Sequence, residues 1–119
     1  MAKILVHVTH GPEDATRAAL AFLVAKTAIA QGHDVSLFLA GDGVSLLKQE
    51  ALDSVEGVGT GKLGEHHQVL ADAGAPIFVS GMSCKARGIT EGDLAGRAEM
   101  AMPDVLVRLT VDSDRVLVY

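Results

Sequence analysis

The residues best suited to chemistry lie in one short segment, VSGMSCKARGI, at positions 79–89. This segment contains Cys84, the only cysteine of the chain, and two cations follow it at Lys85 and Arg87. A thiol reacts as its thiolate, and nearby cations favour that form, so the spacing predicts a nucleophilic cysteine. These residues alone leave an alternative open, because free cysteines are commonly buried and inert.

The backbone around the cysteine is expected to support the same chemistry. Gly81 and Gly88 permit shapes that other residues resist, so the loop can curl around the sulfur. The turn near Ala86 is expected to direct backbone N–H groups towards a thiolate at Cys84. The sequence therefore predicts a reactive loop that follows an apolar strand.

The elements that must position this loop alternate as in an α/β protein. The run KILVHVT (3–9) predicts a buried strand of a parallel sheet. A helix follows, with Pro12 near its first position and Gly32 as its stop. The segment DVSLFLA (34–40) predicts a second strand, which completes a right-handed βαβ unit.

The remaining elements are predicted from periodicity and end signals. They are a short helix at 44–53, a helix at 62–73 that stops at Gly74, a third strand at 75–81, a helix from the capping box of Thr90 and Asp93 to about Ala101, and a closing strand at 115–119. The segment 103–112 is ambiguous, because its apolar residues alternate as in a strand while Pro103 and Asp104 are typical of a helix start. A helix is preferred there.

Three loops are expected to meet at one edge of the sheet, because open α/β sheets bind ligands at the carboxyl ends of their strands. The loops are HGPED (10–14), GDG (41–43) and GMSCKARG (81–88). Besides the proposed catalytic Cys84, the candidate binding residues are Lys85, Arg87, Gly88, His10, Gly11 and Asp42. His10 could hydrogen-bond the thiol or orient a partner, although a solvent-exposed residue at a helix entry is the commoner case. Asp42 is equally explained as a turn residue between glycines.

The other histidines and the glycine-rich segment are less promising. His7 lies inside a strand and is predicted to be a core histidine. His66 and His67 are adjacent on a predicted helix, do not share a face, and are expected on a solvated or subunit-contact surface. The segment GVGTGKLG (57–64) lacks the spacing of a P-loop and does not follow a strand, so it is predicted to be a flexible connector.

Composition narrows the functional classes. The chain has 119 residues and a net charge of −5, without clustered cations and stacking aromatics, which argues against nucleic-acid binding. No apolar run approaches the roughly 20 residues of a membrane span. The N-terminus reads as a strand and not as a signal peptide, so a single cytoplasmic domain (1–119) is expected. One cysteine excludes an internal disulfide and a multi-cysteine zinc site.

Taken together, these segments resemble the DsrE/DsrF-like family of small sulfur-relay proteins. The resemblance rests on the strand followed by GPED and an Ala-rich helix, on GHDVSLFLAGDGV, on LADAGAPIFVSGMSCKARGI and on DSDRVLVY. It implies a flavodoxin-like three-layer α/β sandwich with a mostly parallel sheet of four to five strands, and it favours a helix at 103–112. It also implies homo- or hetero-oligomers, often trimers or hexamers.

The resemblance leads to two main functional hypotheses. Some members of the family carry sulfur as a persulfide in the loop that Cys84 occupies here. In the first hypothesis, Cys84 therefore relays sulfur between unidentified donor and acceptor proteins, with no metal or organic cofactor required. In the second, the protein is a non-catalytic oligomeric module that binds a small ligand, and Cys84 is structural. Redox sensing by Cys84 is a third option, which would need an intermolecular partner.

Overall fold

The computed structural model describes residues 1–119, which form seven β-strands, six α-helices and two 3-10 helices. The strands are β1 (Lys3–Val8), β2 (Asp34–Leu39), β3 (Glu56–Gly57), β4 (Gly61–Lys62), β5 (Ile77–Ser80), β6 (Glu99–Ala101) and β7 (Arg115–Val118). The helices are α1 (Ala15–Ala30), α2 (Gln49–Ser54), α3 (Leu63–Asp72), α4 (Gly81–Ala86), α5 (Glu91–Leu94) and α6 (Pro103–Asp112). The 3-10 helices are Pro12–Asp14 and Gly41–Leu47.

Five strands form one parallel sheet in the order β6-β5-β2-β1-β7. The central pair β1 and β2 places Val6 opposite Leu37, and both side chains are fully buried. The sheet carries helices on its faces, so the predicted flavodoxin-like α/β class is confirmed. The predicted strands at 3–9, 34–40, 75–81 and 115–119 are present with slightly shorter bounds.

One face of the sheet holds the main core. Helix α1 packs there against β1, β2 and α3. Its buried positions are mostly alanines, which allow close approach, and Phe22 is its one large side chain that is fully buried. Gly32 and Gly74 adopt positive φ angles just after α1 and α3, which matches their predicted role as helix stops.

The other face is less completely covered. Helix α6 contacts β1 and β6, which confirms the preferred helix at 103–112, but none of its residues is buried. Val111 on α6 is 76% exposed and Val118 on β7 is 62% exposed. Apolar side chains therefore remain at the surface on this side of the protein.

The helix predicted from Thr90 to Ala101 is wrong beyond its first turn. Thr90 and Asp93 do form a capping box, but helix α5 ends at Leu94. Ala95 and Gly96 both have positive φ angles, of 50° and 76°, and this turns the chain away from the helix axis. The following residues form β6, because the edge of β5 offers backbone hydrogen-bonding groups that a continued helix would leave unpaired.

The predictions for the glycine-rich segment and the histidine pair are also wrong. Strands β3 and β4 form an antiparallel hairpin, which is attached to α1 where the Thr60 hydroxyl donates to the Thr16 carbonyl at 3.0 Å. His66 and His67 are 5% and 8% exposed. Helix α3 packs against both α1 and α2, so more than one of its faces is covered, and two adjacent residues can both be buried.

Candidate functional site

The structure brings the three predicted loops into contact at the carboxyl edge of the sheet. Gly11 lies so close to the second loop that a Cβ atom there would collide with the Asp42 carbonyl oxygen. Gly43 also lies close to the end of β1, with its Cβ position 2.5 Å from the Val8 oxygen. The Gly41 N–H donates to Ser83 Oγ at 2.9 Å, which joins the second loop to α4.

Cys84 lies within helix α4 and not in an irregular loop. Ser80 caps this helix, because its hydroxyl accepts from the Ser83 N–H at 3.1 Å. The helix thus begins before the cysteine, and the prediction that N–H groups near Ala86 face the sulfur is not supported. Cys84 is 0% exposed and packs with the main hydrophobic core.

Burial works against the predicted reactivity of this thiol. Desolvation raises the pKa of Cys84, because the charged thiolate loses its hydration. The positive charge of Arg87 lowers the same pKa, but this effect is the smaller of the two. The prediction of a thiol activated by its cations therefore does not hold in this structure.

The two predicted cations differ in their environments. Arg87 donates from Nε and Nη2 to Asp42 Oδ1, at 3.2 and 3.0 Å, and from Nη1 to the Ser83 carbonyl at 3.2 Å. Its charge is thus partly neutralised by a carboxylate of the second loop. Lys85 is exposed and forms none of the ion pairs of the structure, which leaves its ammonium available to an incoming anion.

A surface depression of about 410 Å³ lies above the cysteine. It is lined by Gly81, Cys84, Lys85, Gly88, Ile89, Thr90, Glu91 and Met100. Gly88 has a φ of +66°, which lets the chain turn at the end of α4 and form one wall. Cys84 lies at the floor of the depression but exposes none of its surface. Solvent in the depression therefore does not contact the thiol.

His10 is at the same edge of the sheet, but its hydrogen bonds do not reach Cys84. Thr9 Oγ1 donates to the Tyr119 carbonyl at 2.9 Å and lies 3.4 Å from His10 Nδ1, so it accepts from that nitrogen. His10 Nε2 is then free to accept from Arg17 Nη1 at 3.3 Å. This network fixes the ring next to α1 and not beside the thiol.

Sequence reasoning missed the two serines that position the cysteine. Ser80 supplies the helix cap, and Ser83 connects α4 to the second loop. The signal for Ser80 was available, because a serine directly before a short helical run is a preferred N-cap. Nothing in the sequence pointed to Ser83, whose role depends on a contact with Gly41, 42 residues away along the chain.

Comparison with known proteins decides the family. The model of the DsrE/DsrF-like family matches residues 2–119. The chain belongs to the DsrE/DsrF-like family. This family is associated with sulfur relay. The resemblance inferred from the residues around Cys84 and from the other quoted segments is thereby confirmed.

Both sequence relatives and solved structures are similar to this DsrE/DsrF-like chain. Protein MJ0989 of Methanocaldococcus jannaschii, which is described as uncharacterized, is 32% identical over 98% of this chain and 99% of its own. Protein MK0008 of Methanopyrus kandleri, also uncharacterized, is 30% identical over 98% and 93% of the two chains. The ychN protein of E. coli has the same fold, with a TM-score of 0.83, 21% identity and full coverage of both chains.

Two further features of the DsrE/DsrF-like chain bear on its chemistry. None of its helices combines the length and the apolar character that crossing a membrane requires. No group of three or more His, Cys, Asp or Glu side chains converges in a way that could hold a metal ion. The ionisable side chains described above at the sheet edge are the Cys84 thiol, Lys85, the Arg87–Asp42 pair and His10.

Proposed function

We propose that this protein is a sulfur carrier that holds a persulfide on Cys84. The observation that carries the proposal is the position of the thiol. The only cysteine of the chain forms the floor of a depression at the carboxyl edge of the sheet, with the unpaired Lys85 at its rim. Membership of a family associated with sulfur relay supports the same conclusion.

The proposed transfer requires only thiol chemistry. The Cys84 thiolate attacks the outer sulfur of a donor persulfide, so that a new S–S bond forms and the donor leaves as a thiolate. An acceptor thiolate then attacks the outer sulfur of the Cys84 persulfide, and Cys84 leaves as a thiolate. No external oxidant or reductant is consumed. Lys85 and Arg87 stabilise the negative sulfur in both steps.

Burial gives this carrier a sheltered resting state. Because the thiol is fully covered and its pKa is raised, it reacts only when the segment around Gly88 moves and admits solvent or a partner. Burial also protects a persulfide on Cys84 from reaction with other thiols between its formation and its transfer to the acceptor. A reducing compartment such as the cytoplasm, which we propose as the location, keeps the unloaded cysteine as a thiol.

Release of sulfur to cyanide tests the proposal. The parent protein, treated with polysulfide and then freed of excess reagent, is expected to yield about one thiocyanate per chain. The Cys84→Ser variant is expected to yield none, while the matched surface variant Lys85→Gln still releases sulfur, at a lower rate. Equal thiocyanate from the parent and from Cys84→Ser would refute a role for this cysteine.

The burial of Cys84 favours a second candidate function. In this candidate the protein is a non-catalytic module that binds a small ligand, and Cys84 is part of its core. The two candidates differ in what happens to the thiol. If polysulfide never modifies folded protein while Cys84→Ala mainly lowers the free energy of unfolding, the binding module is the correct description.

We also propose that the protein assembles into a homo-oligomer, as a trimer or hexamer. Support comes from the incompletely covered face, where Met102, Val107 and Val111 of the α6 region are all more than half exposed. Burial of such apolar surface between subunits would be favourable. Light scattering is expected to show a mass several times the 12.3 kDa of one chain. A monomer at micromolar concentration would contradict this proposal.

A further inference from the structure

A second and larger cavity lies away from the cysteine. Its volume is about 630 Å³, and it is formed by α2, the end of the β3–β4 hairpin, the start of α3 and the chain after α5. Gly64 shapes it, because this glycine lies against α2 and a Cβ atom there would collide with the Leu52 carbonyl oxygen. No side chain larger than hydrogen fits there, so the two helices meet closely below the opening.

The lining of this cavity is polar and carries both signs of charge. Only Leu52 and Val55 are apolar. The charged groups are Lys62, Arg97, Asp53, Glu56 and Glu65. None of these five belongs to the three ion pairs of the structure, so neither the cations nor the carboxylates of the cavity neutralise one another at close range.

His67 is the least exposed polar group of the lining. It is 8% exposed, but its ring nitrogens are not among the buried polar atoms that lack a partner, whereas Nδ1 of the neighbouring His66 is. The ring nitrogens of His67 are therefore accessible from the cavity that it lines. A ligand in this cavity could therefore hydrogen-bond to the His67 ring without any movement of the protein. Burial, and then the positive charge of Arg97, lower the pKa of His67, so the ring is neutral and offers one donor and one acceptor.

A single glutamine separates a cation from a carboxylate in this cavity. Gln49 accepts from Arg97 Nη2 through its Oε1 and donates through its Nε2 to Asp53 Oδ1 at 2.8 Å. Arg97 is itself fixed, because its Nη1 donates to the Leu47 carbonyl at 3.0 Å. The two opposite charges are thus held one amide group apart, facing the same space.

We propose that this cavity binds a zwitterionic small molecule of the amino-acid type. The carboxylate of the ligand lies at Arg97 and His67, and its ammonium group lies at Asp53 with support from Glu65. A simple anion would leave the carboxylates of the lining unpaired, and a simple cation would leave Arg97 unpaired. The scarcity of apolar lining residues excludes a large apolar ligand. This proposal does not depend on any role of Cys84.

Amide chemical shifts of the full chain provide the test. L-alanine and glycylglycine, as a free amino acid and a peptide, are titrated separately, with acetate and methylamine as probes of one charge each. At least one zwitterion is expected to bind saturably, with shift changes concentrated at residues 62–68 and 97. The single-charge probes are expected to bind at least about 10-fold more weakly, because each leaves one charged wall unpaired. The zwitterion that binds more tightly shows whether the natural ligand is a free amino acid or a peptide.

Two matched variants separate binding from folding. Asp53 and Asp72 are both exposed and each accept from a glutamine four residues earlier, but only Asp53 lines the cavity. Asp53→Asn is expected to weaken zwitterion binding by about 10-fold, and Asp72→Asn by less than about 2-fold. The His67 ring proton provides a further readout, because a bound carboxylate raises the pKa of this histidine.

Three results would overturn the proposal. The first is that neither zwitterion shifts the cavity residues at millimolar concentration. The second is that acetate binds as tightly as L-alanine, which would make the cavity an anion site. The third is that Asp53→Asn and Asp72→Asn behave alike while the spectra of both show a folded protein.

Discussion

The two concave surfaces of this protein each cover an ionisable side chain, but the same burial has opposite consequences in them. Under the depression of about 410 Å³, burial raises the pKa of Cys84 and keeps the thiol neutral. In the cavity of about 630 Å³, burial lowers the pKa of His67 and keeps the imidazole neutral. A neutral thiol is the unreactive form, whereas a neutral imidazole is ready to accept and donate hydrogen bonds. The first site must therefore open, and the second is ready to bind.

The arginines of the two sites show a parallel contrast. Arg87 lies 3.0 Å from a carboxylate oxygen of Asp42, so much of its charge is compensated before any ligand arrives. Arg97 is hydrogen-bonded to a backbone carbonyl and an amide, which orient it without cancelling its charge. Each site can be perturbed separately, and the sizes of the effects distinguish a closed site from an open one.

The largest effect is expected from filling the glycine contacts that shape the two sites. Gly43→Ala would place a Cβ 2.5 Å from the Val8 oxygen and push the second loop off the sheet beneath α4. Gly64→Ala would force α3 away from α2, beneath the cavity. Because backbone must move in both variants, each is expected to lose about 2–4 kcal/mol of unfolding free energy in urea titrations.

Gly92→Ala is the matched control for these glycines. Gly92 lies in α5, and its nearest neighbour would be the Thr90 hydroxyl at an ordinary distance of 3.6 Å. Alanine is also the better helix former, so this variant is expected to be neutral or slightly stabilising. If Gly43→Ala and Gly64→Ala were as stable as Gly92→Ala, the close contacts would not be as tight as described.

The next largest effect is expected in the alkylation of Cys84. The buried thiol should react with iodoacetamide at least about 100-fold more slowly in the folded protein than in urea, because reaction requires local opening. The folded rate should continue to rise at alkaline pH, since the pKa of Cys84 is raised. Fast alkylation of folded protein at neutral pH would show that the site is open and would remove the contrast with the cavity.

A smaller effect is expected in the pH dependence of stability. The pKa of His67 is lower in the folded protein than in the unfolded chain, where it is about 6.5, so the unfolded chain binds more protons below that pH. The contribution of His67 is fully present above about pH 6.5 and is lost as the pH falls towards the folded-state pKa. His7 acts in the same direction, because burial also lowers its pKa.

The histidine variants make this prediction specific. Between about pH 7.5 and pH 5.5 the parent is expected to lose stability through His67, and His67→Gln is expected to show a flatter dependence. Lys85→Gln, which alters an exposed side chain outside the cavity that His67 lines, should keep the parental slope. If the stability of His67→Gln depended on pH as steeply as that of the parent, burial would not lower the pKa of this histidine.

The smallest effect is expected from the ion pair beside the thiol. Asp42→Asn removes the carboxylate from Arg87, whose uncompensated charge then lowers the pKa of Cys84. Alkylation should accelerate by about 3-fold, because Arg87 and Asp42 are both partly exposed and their interaction is screened. Arg87→Gln should have the opposite effect and slow the reaction. Equal rates in both variants would show that neither charge reaches the sulfur.

Much of the fold could be predicted because its signals are local. The apolar runs that became β1, β2, β5 and β7 and the glycine stops after α1 and α3 act over a few residues. Strand β6 and the β3–β4 hairpin were missed, because both depend on partners in the folded structure. The capping box of Thr90 and Asp93 favours a longer helix. Residues 99–101 form a strand instead, because they pair with the free edge of β5.

The position of the candidate site could be predicted from the sequence, but the burial of its cysteine could not. The meeting of three loops at one edge follows from parallel strand order, and Cys84 and Asp42 lie there as predicted. The burial of Cys84 does not follow, because it depends on how α4 packs on the core. His67 was assigned to an exposed surface because its helix was treated alone, without the contacts that α1 and α2 make with it.

The most direct test of the central claim is intact-mass spectrometry of the protein after incubation with polysulfide. The parent is expected to gain about 32 Da, one sulfur atom, and to lose it again on reduction, while Cys84→Ser gains nothing. The gain should appear slowly at neutral pH and faster as the pH rises, as expected for a sheltered thiol of raised pKa. No gain on the parent at any pH at which the protein is folded would contradict the claim that Cys84 carries sulfur.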